Sequence, residues 1–214
     1  MSIVLHNVVP HPLRMFLKNH RSEVWDSQMT FNDGERIFVS APSGKGKTTL
    51  LMILYGVRKD YDGEIVCGGE SIRSRNHTRW TAVRRKKVSV LFQELRLFSE
   101  LTGLENIALK NAITGFADEA KVKEFASRLD VMECLSRPCR QLSLGQQQRI
   151  ALIRSLMQPF EWLLLDEPFS HLDADNVAAM CALIDEECQR RNAGLIVAGF
   201  TAFAGLKCGR ELNL

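Results

Sequence analysis

Arg36-Ile37-Phe38-Val39-Ser40 is a short apolar run, and Leu50-Leu51-Met52-Ile53-Leu54 is another. Between them lie Ala41-Pro42-Ser43-Gly44-Lys45-Gly46-Lys47-Thr48-Thr49. The first run reads as a buried strand and the second as a helix over Lys47–Gly56. The intervening residues must therefore reverse the chain in one tight, glycine-containing turn. Such a turn aims successive backbone N–H groups at one spot, and the helix start adds the positive end of its dipole. An anion is favoured there. Lys47 can reach phosphate oxygens and the Thr48 hydroxyl can ligand a magnesium ion, so Pro42 through Thr49 are the candidate phosphate-binding residues. Ala41 stands where the usual pattern opens with glycine, a mild change provided its φ stays negative. The competing reading is a glycine-rich turn beside a surface lysine.

A second strand, Trp162–Leu165, ends in Asp166-Glu167. In open α/β sheets ligands bind beyond the carboxyl ends of the strands, which is where this acidic pair falls. One carboxylate can help hold a metal while the next polarises a water. The run is weak evidence alone; with the phosphate turn it points to a P-loop NTPase.

The rest of the chain fits that reading. Strands are expected at Ile3–Val9, Gln28–Phe31, Arg36–Ser40, Glu64–Cys67, Val88–Phe92, Trp162–Leu165 and Leu195–Ala198. Asn32-Asp33-Gly34 carries a hairpin signal between the second and third. Besides Lys47–Gly56, helices are expected at Ala117–Leu129, Leu144–Met157 and Asp175–Arg191. Strand signals vanish between Phe92 and Trp162, which implies a helical insertion in an α/β core. The 214 residues suit one domain. Hydrophobic residues at 45% and charged residues at 25% exclude a disordered chain.

A net charge of +3 is too mild to indicate nucleic acid, and none is expected as a partner. No apolar run reaches the roughly 20 residues that cross a bilayer. The N-terminal sequence lacks the layout of a secretory signal, so a cytoplasmic location is expected. The six cysteines show no paired spacing and are read as reduced thiols. Arg73, Arg75, Arg79, Arg84, Arg85, Lys86 and Lys87 form a basic stretch read first as a solvated face, then as a contact for lipid headgroups or an acidic partner loop. Trp80 within it is read as packing.

Gln141-Leu142-Ser143-Leu144-Gly145-Gln146-Gln147-Gln148-Arg149 precedes another apolar helix, with Ser143 as its N-cap. Leu142 to Gln146 resemble the signature of the ABC transporter ATP-binding subunits, with Leu144 where glycine is usual. Gln93 resembles that family's Q-loop glutamine, and Ser170-His171-Leu172-Asp173 its D-loop. Leu97 to Ile107 are similar to the stand-alone lipoprotein-releasing, macrolide-exporting and cell-division type.

The resemblance implies a RecA-like P-loop core with an antiparallel β subdomain (1–93 and 158–214) and a helical subdomain (94–157). It also implies binding of ATP and Mg²⁺, with Thr48, Gln93 and Asp166 as metal ligands and Glu167, Lys47 and Gln93 as catalytic residues. Ser143, Gly145 and Gln146 would complete the site of an opposing copy in an ATP-dependent homodimer. The expected partner is an integral membrane permease at the inner face of the cell membrane. Phe200 stands near the family's switch histidine and cannot donate a hydrogen bond, which lowers the turnover to be expected. The alternative function is a hydrolysis-poor, nucleotide-gated binding or assembly module. His11 and Phe16 are the candidates to stack on the adenine.

Overall fold

The computed structural model describes residues 1–170, 172–201 and 205–214. Two sheets organise the chain. The antiparallel one has the order β2-β1-β4-β5, from β1 (Ile3–Pro10), β2 (Gln28–Phe31), β4 (Tyr61–Cys67) and β5 (Glu70–Ser71). The other is wholly parallel, in the order β6-β7-β8-β3-β9, from β3 (Arg36–Ser40), β6 (Val88–Leu91), β7 (Trp162–Asp166), β8 (Gly194–Gly199) and β9 (Arg210–Asn213).

Alternation along the parallel strands explains why their sequences read as unbroken apolar runs. Phe38, Leu163, Leu165, Leu195 and Val197 face one core cluster, shared with the helices. Ile37, Val39, Leu164, Ile196 and Ala198 face the other, shared with the antiparallel sheet. Successive side chains of a strand point to opposite faces, so a sheet covered on both sides must be apolar throughout. Truncating one such residue to alanine costs about 2–5 kcal/mol. The sheet is thus a stiff platform for the loops at its carboxyl edge.

The helices are α1 (Arg14–Leu17), α2 (Lys47–Leu54), α3 (His77–Lys86), α4 (Gly103–Thr114), α5 (Glu119–Arg128), α6 (Leu144–Leu156) and α7 (Ala174–Arg191). As expected, the elements between β6 and β7 are all helical. The Asn32–Gly34 turn does not make a hairpin. β2 pairs with β1 and β3 with β8 and β9, so the turn carries the chain from one sheet to the other. Its reversal is fixed locally, with the Glu35 carboxylate accepting from the Asn32 N–H at 2.7 Å.

The basic stretch is in the main the solvated face expected of it: Arg73, Arg79, Arg85, Lys86 and Lys87 are exposed and Arg84 is half-buried, while Arg75 turns inward. It folds into α3 and the turn before it. Arg75 is 6% exposed, donates to the Cys67 carbonyl at 2.7 Å and lies over the Trp80 ring. Arg73 donates to the Tyr61 carbonyl, Arg79 pairs with Glu70, and Arg85 donates to the Ile113 carbonyl. Intramolecular acceptors thus use much of this charge. Trp80 is buried packing, and a Cβ on Gly56 would sit 2.4 Å from its ring. All six cysteines are free thiols. Burial pushes the Cys188 thiol up to about 12, which keeps it protonated and unreactive at neutral pH.

Candidate functional site

β3 delivers the chain to the phosphate turn, and β8 runs beside it in register, with Ser40 opposite Gly199. β7 lies on the far side of β8, with Asp166 opposite Ala198. Residues just beyond the three strand ends therefore meet: Ala41 onward, Phe200, and Glu167.

The turn has the conformation the sequence demands. Gly44 and Gly46 have φ of 76° and 101°. A Cβ on Gly46 would lie 2.6 Å from Leu13 Cδ1 and 3.1 Å from Trp25 Nε1, so this position excludes a side chain. Gly44 instead faces open space. Ala41 is buried and is not among the positive-φ residues, so alanine is accommodated there. No side chain caps the start of α2 at Gly46, which leaves the helix-start amides to a ligand. Ser43, Gly44, Gly46, Lys47, Thr48 and Thr49 line a cleft of about 180 Å³ with Gln93, Glu167 and Phe200. Pro42 and Lys45 shape the turn without lining it: the Pro42 carbonyl accepts from the Lys45 N–H at 3.4 Å, and the Lys45 ammonium lies 3.7 Å over the Phe16 ring.

Lys47 is 5% exposed. Its ammonium donates to the Ala41 carbonyl at 2.6 Å, lies 3.5 Å from Glu167 Oε1, and is 4.0 Å from the centre of the Phe200 ring. Gln93, just past β6, donates from Nε2 to Glu167 Oε2 at 3.1 Å. Glu167 itself has a φ of 47°, an uncommon conformation for a non-glycine residue and one that collects at functional sites. Backbone contacts hold it there: its N–H donates to the Ala198 carbonyl at 2.9 Å, and its carbonyl accepts from Gln148 Nε2 and from the Ser170 hydroxyl, both at 3.2 Å. Gln148 escaped the sequence reading. Its signal is a glutamine on the apolar face of α6, where it is 3% exposed.

Asp166 is 2% exposed, and neither carboxylate oxygen has a hydrogen-bond partner among the described residues. Burial raises its carboxyl above the ordinary range, with Thr48 and Lys47 pulling it down and Glu167 and Glu94 pushing it up. A buried, unpartnered carboxylate beside a threonine hydroxyl is a donor set of hard oxygens, and it fits a hard dication such as Mg²⁺.

Ser143, Gly145 and Gln146 do not join this cleft within one chain. They start α6 in a capping box, where Ser143 Oγ accepts from the Gln146 N–H at 3.2 Å and Gln146 Oε1 from the Ser143 N–H at 3.0 Å. Ser143 and Leu144 are exposed. Leu144 lines a neighbouring cleft that shares Gln93 and Glu167 with the first. In the D-loop segment, Asp173 caps α7 by accepting from the Asn176 N–H at 2.8 Å, while His171 lies outside the described residues. Of the two adenine candidates, His11 is turned to Asp62 at 3.4 Å. Phe16 stacks on His20 with ring centres 4.1 Å apart, next to the turn through Lys45.

The sequence profile of the ABC transporter family matches residues 24–170. The thiamine import ATP-binding protein ThiQ of Histophilus somni is 41% identical over 167 residues, 77% of this chain and 75% of that one. The glucose import ATP-binding protein GlcV of Saccharolobus solfataricus is 34% identical over 193 residues, 89% of this chain and 54% of that one. Among solved structures, a dimeric bacterial ABC transporter cassette superposes with a TM-score of 0.80 over 93% of this chain and 88% of that one. At 24% identity that likeness speaks for the fold. The P-loop core and the extent of the sequence matches converge: this chain belongs to the ABC transporter family, as one of its ATP-binding, ATPase subunits.

Proposed function

We propose that the chain powers an import-type transporter, two copies closing around ATP so that each cradle faces the other copy's Ser143–Gln146 segment. The observation that carries this reading is the convergence of Lys47, Gln93 and Glu167 on one cleft beside the unpartnered Asp166 carboxylate. The turn amides and Lys47 hold the phosphates. Thr48, Gln93 and Asp166 would hold Mg²⁺, which when bound neutralises charge developing on the phosphate oxygens.

Lys47 and Gln93 both engage the Glu167 carboxylate. A phosphate arriving at Lys47 takes over the ammonium, and Glu167 is then free to accept a proton from the attacking water. The capping box that uses Ser143 and Gln146 keeps the α6 start rigid, so Ser143 and Gly145 are presented as a fixed surface to an opposing copy. Phe16, with His20 behind it, is the platform for the adenine.

The names of the relatives support an importer, and import across a membrane calls for a permease as partner. Among the described residues no helix is long and apolar enough to cross a membrane. Phe98, Leu104, Leu109 and Ile113 are exposed apolar side chains on and before α4, and they support a protein contact there. We read residues 94–157 as the helical subdomain bearing this surface, on a core of 1–93 and 158–214 at the inner face of the membrane.

A second reading, a nucleotide-gated module with negligible turnover, is favoured by Phe200, which brings no hydrogen-bond donor into the cleft. Steady-state phosphate release separates the two. The first reading predicts turnover well above that of Glu167→Gln, with Lys47→Ala abolishing ATP binding. Turnover equal to the Glu167→Gln background selects the second.

A further inference from the structure

The cleft is polar apart from one wall. That wall is Phe200, which is 56% exposed yet turned over the Lys47 ammonium at 4.0 Å from its ring centre. Its place is set by the sheet, because β8 ends at Gly199 opposite Ser40 and the next residue falls beside the start of the turn. The Ser40 hydroxyl also donates to the Phe200 carbonyl at 3.4 Å. The ring is therefore part of the site. A cation within about 6 Å of an aromatic centre is attracted to its face, and more strongly where water is scarce. Lys47 is such a cation, 5% exposed, with the Ala41 carbonyl on one side and Glu167 and Phe200 on the others.

We propose that Phe200 sets the preference of this site between nucleoside triphosphate and diphosphate, by holding its ring over the Lys47 ammonium where a third phosphate must bind. The proposal rests on the reading of the turn as a nucleotide site. Phosphate groups cradled by the amides of Gly44 to Thr48 approach Lys47 from the side of the turn. A further phosphate extends toward Gln93 and Glu167, the part of the cleft that Phe200 shares. The diphosphate leaves the ring in place. The triphosphate displaces it and forfeits the ring–ammonium attraction, which narrows its advantage over the diphosphate.

The test is equilibrium binding of ADP and of the non-hydrolysable β,γ-imido analogue of ATP, with Mg²⁺, to the purified chain and to Phe200→Ala, Phe200→Leu and Phe200→Tyr. Phe200→Ala and Phe200→Leu should tighten the triphosphate analogue by about 2- to 30-fold while ADP changes by less than about twofold. Phe200→Tyr keeps a ring face and should keep the wild-type ratio. Leucine retains bulk without a π-face, so it guards against a loss of packing being read as a loss of the ring contact. The proposal is overturned if the affinities for the two nucleotides move together in all three variants, or if Phe200→Ala weakens the triphosphate. A wild-type chain that binds neither nucleotide, or binds both unchanged in Lys47→Ala, overturns the nucleotide reading itself. Lys47-dependent binding with a ratio indifferent to residue 200 overturns only the role of Phe200.

Discussion

At the scale of single residues, the phosphate turn is held open by what cannot be placed in it. Gly46 combines a φ of 101° with a would-be Cβ that collides with Leu13 and Trp25, whereas Gly44 has a φ of 76° and open space around it. Gly46→Ala should therefore cost more than Gly44→Ala. Backbone strain of this kind is worth about 1–3 kcal/mol, and the collision adds to it. Urea unfolding of the two variants checks the order, and equal midpoints would contradict it. Much of this was legible in the sequence: Gly44, Gly46, Lys47 and Thr48 stand in a pattern whose chemistry follows from the turn itself. Ala41 was legible too, since only a positive φ would have made it costly. The Phe200–Lys47 contact was not. It joins residues distant in sequence and exists because β3 and β8 are neighbours, which no local pattern states.

At the scale of elements, α7 carries a buried carboxylate that helps tie it to its neighbours, beside its Arg36–Asp185 pair and its apolar face. Glu187 is 2% exposed and meets Arg190 at 2.8 Å, Lys121 of α5 at 3.3 Å, and Arg191. Arg191 also donates to the Gln158 and Leu156 carbonyls at 2.6 and 3.0 Å, which anchors the end of α6. Burial pushes the Glu187 carboxyl upward, but its three cations outweigh that and hold it at about 2. A carboxyl depressed in the folded state stabilises it above the unfolded value of roughly 4.3, and that contribution is lost as pH falls toward the folded value. Glu187→Gln should lower stability at neutral pH by about 3–5 kcal/mol, because Arg191 is left buried without its counter-charge. It should also flatten the loss of stability between pH 4 and pH 2. Chemical unfolding across that range reads both effects, and a wild-type-like pH profile would contradict the assignment.

Element by element, α6 was legible through its cap, Ser143, and α7 through its apolar face, while the Asp173 cap of α7 appears only in the structure. α3 was hidden because it buries only Trp80 and Val83, too few apolar positions to show a helical period among cations that are mostly exposed. β9 was hidden because only Leu212 of its four residues is buried. α4 had a sequence signal that was passed over, the Thr102/Glu105 capping box.

At the scale of the whole molecule, the parallel sheet brings together the segments that follow β3, β6, β7 and β8, and Ser143–Gln146 stays outside the cleft they form. The alternation of strands and helices announced an α/β core. The strand order did not follow from it, which is why Asn32–Gly34 read as a hairpin when it links two sheets. Each chain thus carries one cradle and, apart from it, the Ser143–Gln146 segment, which in the proposed function two copies would bring together.

If ATP joins two such chains, sedimentation of Glu167→Gln with Mg²⁺ and either ATP or ADP will show it. The account predicts a species of about twice 24.2 kDa with ATP, a single 24.2 kDa species with ADP, and loss of the dimer in Ser143→Arg, which fills the surface offered to the partner's nucleotide. A 24.2 kDa species at saturating ATP, in a protein shown to bind it, would contradict the account.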